Sequence, residues 1–213
     1  MNNKLVSKTF LWMFVGLLVT FFTGYFVSIN ERMVEALYGP LTWVFVIAEI
    51  LLVIFLSARI NKMSATTARI SFLLYSFVSG LTFSSVFLSF EVSSIMMVFL
   101  VAAIAFLVFG AIGYFTNIDL SKLGMILLMG LFAIIIGVII NLFIGSSTFD
   151  LVLSIIGLII FFGYTAYDMQ NLKVISEQGI DNDVVAIYGA LELYLDFINI
   201  FLHILSIIGD AKD

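Results

Sequence analysis

Between Leu191 and His203 the chain carries two carboxylates, an amide and its only histidine inside an otherwise apolar run. Glu192, Asp196, Asn199 and His203 follow i, i+4, i+7, i+11 spacing, which on a helix makes one polar stripe. The residues around that stripe, among them Leu193, Leu195, Phe197, Ile198 and Phe201, suit hydrocarbon. A charge at the centre of a membrane helix costs about 2.5–3.5 kcal/mol on insertion scales, so such groups face a bundle interior or a water path. The chemistry on offer is proton binding and release in a poorly solvated place. Function is expected on this helix.

The elements that must position these groups follow from composition. With 63% hydrophobic and 11% charged residues, the apolar surface exceeds what one soluble core can hide. Apolar runs near the roughly 20-residue spanning length recur at about 10–29, 41–58, 70–90, 94–115, 123–144, 150–170 and 186–208. The expected architecture is an all-α membrane protein, with seven transmembrane helices in a single domain over 1–213 and the lipid bilayer as its solvent. Thr116 to Lys122 forms a short polar turn, and Asn171 to Val185 is the longest polar segment. The first span follows Lys4 and Lys8 as a signal peptide would, but its apolar run is too long and no Ala-x-Ala-like site follows, so it reads as an uncleaved helix. Pro40 suits a helix start. Cysteine is absent, which excludes disulfides, thiolate metal sites and cysteine nucleophiles. No basic stripe interleaved with aromatics points to nucleic acid.

Alternating the loops puts Lys4, Lys8, Arg59, Lys62, Arg69, Lys122 and Lys173 on one side and only Arg32 and Lys212 on the other. The positive-inside bias therefore predicts a cytoplasmic N-terminus and an outer C-terminus. Helix two then places Glu49 roughly 12 Å below the outer surface, and helix seven places Asp196 roughly 15 Å above the inner one. Asp168 falls near the inner end of helix six, on the same side as Arg59, while His203 lies towards the outer end. Blander readings exist: Asp168 solvated at the interface, Glu192 snorkelling inward, Glu49 hydrogen-bonding a neighbouring helix, His203 as a packing residue. Tyr164, Tyr167, Tyr188 and Tyr194 read as an inner aromatic belt. Gly16, Thr20 and Gly24 on one helix, and Ser76, Gly80 and Ser84 on another, read as helix-contact stripes. Two carboxylates converging where water is scarce cannot both ionise cheaply, so their titration belongs to the pair. With an arginine beside them they make a pH-governed gate.

The segment Gly113-Tyr114-Phe115-Thr116-Asn117-Ile118-Asp119-Leu120-Ser121-Lys122-Leu123-Gly124 resembles the loop motif of the transmembrane Bax inhibitor motif family. Tyr167-Asp168, followed by Leu193-Tyr194-Leu195-Asp196-Phe197-Ile198-Asn199-Ile200-Phe201, resembles that family's last two helices. The similarity covers nearly the whole chain and is nearest in kind to the bacterial branch holding a pH-sensitive calcium-leak protein of the cytoplasmic membrane. The resemblance implies six helices around a central, polar seventh, and calcium leak regulated by a di-aspartyl pH sensor. Asp168 and Asp196 match the sensor positions, where calcium would touch them transiently, and Arg59 matches the basic end of helix two that pairs with them. Glu49 matches an acidic residue on the ion path; Glu192, Asn199 and His203 are further path candidates. The bacterial relative has an arginine in the last helix where this chain has Ser206, which leaves His203 as the nearby basic side chain. Calcium, the permeant ion, takes carboxylates, carbonyls and waters, and a permeation site must bind weakly enough to release. No cofactor is implied.

An enzyme is the competing class. Intramembrane aspartyl proteases pair Tyr-Asp with Gly-x-Gly-Asp, but the segment before Asp196 lacks both glycines, and Pro40 is the only proline for a Pro-Ala-Leu motif. A retinal-type protein needs a lysine inside the last helix, and the lysine nearest to it is Lys212 in the tail. The expectation is therefore no enzyme. The alternative function is a non-conducting membrane regulator that binds a membrane protease or another partner.

Overall fold

A computed structural model describes residues 4–37 and 40–209, with the side chains of Pro40, Thr42 and Asn61 outside that description. Lys212, which entered the orientation argument, lies beyond it. The described chain is helical: α1 (Lys4–Ser28), α2 (Glu31–Leu37), α3 (Pro40–Arg59), a 3-10 turn at Ile60–Lys62, α4 (Ala65–Ser89), α5 (Val92–Phe115), α6 (Ser121–Ile144), α7 (Ser147–Glu177) and α8 (Asp183–Ile208). Among the described residues six helices, α1 and α4 to α8, are long and apolar enough to cross a membrane. This is an all-α membrane protein. The second expected span coincides with α3, 20 residues long and opened by Pro40.

Two departures from the expected seven helices have local causes. α2 was not anticipated. It has only seven residues, none of them buried, so it leaves no apolar period to read. Asn30 caps it by accepting the Met33 N–H at 3.3 Å. α7 runs seven residues past the expected end at 170 because Met169 and Leu172 are still buried there. Its continuation stops near Gly179, whose φ of +75° suits a residue without a Cβ. The long polar segment is therefore mostly helix. Asn182 then accepts the Val184 N–H at 2.8 Å and starts α8. Between α6 and α7 the turn is tighter still. Gly145, at φ +66°, donates to the Asn141 carbonyl at 2.7 Å, and Ser146 accepts the Phe149 N–H at 3.2 Å.

The helices group into two compact units. The first holds α1 to α4, the Ser176–Tyr194 segment and hence the start of α8. Here the small-residue stripes do what their spacing predicts. A Cβ on Gly16 would meet Phe72 and the Ser76 hydroxyl, one on Gly24 the Gly80 carbonyl at 3.2 Å, and one on Gly80 the Thr20 carbonyl at 2.9 Å. The pairings advance together along both helices, so α1 and α4 run parallel in close van der Waals contact, the force that packs helices in lipid. The second unit holds Ser93–Ile175 and α8 from Leu195 onward. Here Gly113 on α5 lies close against the backbone of Ala166 on α7.

Candidate functional site

In the second unit Asp196 is 3% exposed, on a turn of α8 whose next residue, Phe197, packs edge-on against Phe99 and Phe106 of α5. Asp168 is half-buried on α7. Both carboxylates lie within electrostatic reach of Tyr164, one turn before Asp168. The longer α7 puts Asp168 nine residues, roughly 13 Å, from the helix end instead of beside a polar loop. Arg59 is the exposed last residue of α3, in the first unit.

Further along α8, the Asn199 amide donates to the Leu195 carbonyl of its own helix at 2.7 Å. His203 fills the notch left by Gly157: a Cβ there would sit 2.3 Å from its Nε2, and the Phe161 ring lies 5.8 Å away. His203 is a packing residue in this structure. Ser206 has a role that its sequence position did not disclose. It accepts from the Ser154 hydroxyl at 3.0 Å and donates to the Asp150 carboxylate at 3.2 Å, a polar link between α7 and α8.

In the first unit Glu49 accepts the Thr82 hydroxyl at 2.7 Å, the neighbouring-helix bond that the blander reading named. The Ser79 carbonyl lies 2.8 Å from the same hydroxyl, whose single proton serves one acceptor at a time. Glu49 also lies within electrostatic reach of Tyr75 and Tyr194. Tyr194 is fully buried, which corrects its assignment to an interfacial belt. Its hydroxyl bonds to Thr20 at 2.6 Å and to Ser79, while Thr20 donates to the Ser76 carbonyl at 2.9 Å. Thr20 has spent its proton, so Tyr194 donates to it and Ser79 donates to Tyr194. Phe72 and Tyr75 meet the Tyr194 ring edge-on, each at 5.8 Å. Tyr194→Phe should cost about 1–3 kcal/mol, because buried hydroxyls on α1 and α4 lose their partner. Thermal unfolding in detergent measures it, and an unchanged midpoint would remove the network from any account of stability. Glu192 is half-buried and accepts a hydrogen bond from Tyr188 one turn back, a tie that free snorkelling would not need.

One cluster escaped the sequence reading altogether. Lys8 pairs with Asp181 at 2.7 Å and Asp183 at 3.0 Å, and Arg69 pairs with Asp183 while lying 5.6 Å over the Trp12 ring. It ties the starts of α1, α4 and α8 together. The signal was charge opposition across 173 residues of sequence, which spacing rules cannot see. Among the described residues no group of three or more His, Asp or Glu side chains is placed to hold a metal ion.

Membrane-length helices packed through small residues, with the Asp196 carboxylate and several hydroxyls buried among them, define a polytopic membrane protein. The chain belongs to the Bax inhibitor-1 family. The profile described as "Inhibitor of apoptosis-promoting Bax1" matches residues 2–213. Among similar proteins, an inner membrane protein of Escherichia coli strain K12, YbhL, is 38% identical over 97% of this chain and 92% of its own. An uncharacterized protein of Borreliella burgdorferi is 36% identical over 100% and 94% of the two chains. An uncharacterized membrane protein of Streptococcus pyogenes serotype M1 is 29% identical over 97% and 93%.

Proposed function

We propose that the protein is a calcium leak channel of the bacterial cytoplasmic membrane whose opening is set by the protonation of Asp168 and Asp196. The observation that carries this reading is the burial of Asp196 on α8, with Asp168 and Asp196 both close enough to act on Tyr164. Charges so placed repel one another in a medium that screens little, so a proton bound by one alters its affinity for the other. Arg59 enters as their cationic partner through the resemblance alone. Glu49, held by Thr82, and Asn199 offer oxygens to a passing hard cation. The protein acts by conduction and not by catalysis. Purified protein in liposomes should pass calcium down its gradient without ATP between about pH 5 and 8. No flux above empty liposomes would reject the channel and favour the regulator that binds a membrane protease or another partner.

The same reading includes seven spans, with α3 as the second, the N-terminus inside and the C-terminus outside. Parallel packing of α1 with α4 supports it, since both are then odd-numbered spans. Reporter fusions at the C-terminus and in the loop near Lys62 should report opposite sides of the membrane. A shared side sinks this topology.

A further inference from the structure

The family-like loop between α5 and α6 roofs a crevice of about 720 Å³ between α5, α6 and α7, within the second unit. We propose that this crevice seats the acyl chains of an anionic phospholipid, with Lys122 and Lys173 at its loop end holding the headgroup phosphate. Its walls are apolar along their length, with Ile112, Ile126 and Ile159 exposed to the surroundings. The volume lies in the range of small-ligand sites, roughly 300–1,000 Å³. Gly130 and Gly163 keep the floor free of Cβ atoms, so that Ile160 and Leu127 close it from below.

Lys122 and Lys173 flank the loop end of the crevice without lining it, and this decides the occupant. Lys122 precedes Ile126 by four residues on α6, and Lys173 follows Ala166 by seven on α7, so each lysine extends one wall of the crevice past the loop. Lys173 lies 5.7 Å over the Tyr114 ring. Asp119, the nearby carboxylate, is engaged by the Ser121 hydroxyl and its N–H, which hold it below the usual carboxylate range; Lys122 acts on it more weakly. Two lysines against one carboxylate leave the rim positive. The loop itself is fixed: Gln170 accepts the Leu120 N–H and donates to the Ile118 carbonyl, both at 2.8 Å. Along α6 the crevice runs only from Leu123 to Gly130, roughly 10 Å, a third of a hydrocarbon core of about 30 Å. A partner's spanning helix would pack over that third alone. Lipid tails that start at the interface fit it.

The test uses the full-length protein in detergent, titrated with phosphatidylglycerol or with phosphatidylcholine of the same chains, with bound lipid counted by native mass spectrometry. Phosphatidylglycerol should be retained about thirtyfold more strongly, the scale expected for two lysines near an anionic surface. Lys122→Gln with Lys173→Gln should bring the ratio near one, whereas Lys62→Gln, an exposed lysine in the first unit, should not. Ile126→Trp should reduce retention of both lipids, and Ile112→Trp does the same work if that variant does not fold. The proposal is overturned if the double lysine variant keeps the preference, if Lys62→Gln loses it equally, or if the tryptophan variants bind as the parent does. Lipid retention is read without calcium flux, so it stands or falls apart from channel activity.

Discussion

Asp168→Asn and Asp196→Asn should each bring the ratio of calcium flux at pH 5 to that at pH 8 close to one, where the proposed channel should leak more as the pH falls. The window of about pH 5–8 is the physiological range of proton switches. Asparagine keeps the size of the side chain and removes its titration. In the proposed switch the pair titrates as a unit, so either substitution should abolish it. The double variant should therefore resemble the single ones, without summed effects. Glu192→Gln is the informative control. It keeps an acceptor for Tyr188, so the midpoint should stay in place whatever happens to the size of the flux. Loss of the pH response in Glu192→Gln with its survival in Asp168→Asn would mean that the sensor is another carboxylate.

The second large effect is expected at Gly113. A Cβ there would lie 2.0 Å from the Ala166 carbonyl oxygen and 2.6 Å from that residue's Cα. These are backbone atoms, so no rotamer change relieves the clash and α5 must move away from α7. Gly113→Ala should destabilise the protein by about 3 kcal/mol, the upper end of ordinary overpacking. Gly110→Ala, one turn earlier on the same helix, is the comparison. Its Cβ would meet the flexible Met169 side chain at 3.4 Å and the Thr165 methyl at 3.8 Å, ordinary contacts, so its cost should stay within about 1 kcal/mol. Thermal unfolding of both variants in detergent decides the matter. Equal midpoints would show that the approach of α5 to α7 is not what makes glycine necessary.

Gly113 and a second glycine, Gly124, also show where spacing stops being informative. Gly113 and Gly124 bracket the motif that resembles the family's loop, but the motif alone gives no reason for them. The reason is close approach by residues far away in sequence, Ala166 for one and the Tyr167 ring for the other. The same division runs through the candidate site. Spacing alone put Glu192, Asp196, Asn199 and His203 on one helix, because a continuous α8 preserves i, i+4 geometry whatever surrounds it. What each faces depends on partners from other helices. His203 is packed in the Gly157 notch, and Tyr194 left the interface for a hydrogen-bonded place against α1 and α4.

By itself, the sequence determined that this chain is helical and lives in a membrane, and it marked every long helix among the described residues. Those properties rest on apolar content and on the roughly 20-residue length needed to cross hydrocarbon, both local quantities. It also determined that α1 and α4 carry helix-contact stripes, since small residues four apart stay on one face. Only the tertiary structure decided that the two stripes meet each other, that α7 continues past Asn171, and that Lys8, Arg69, Asp181 and Asp183 converge. Pairing of this kind depends on which surfaces fit at van der Waals distance and which charges can neutralise one another after folding. Neither is written in the spacing of residues along one helix.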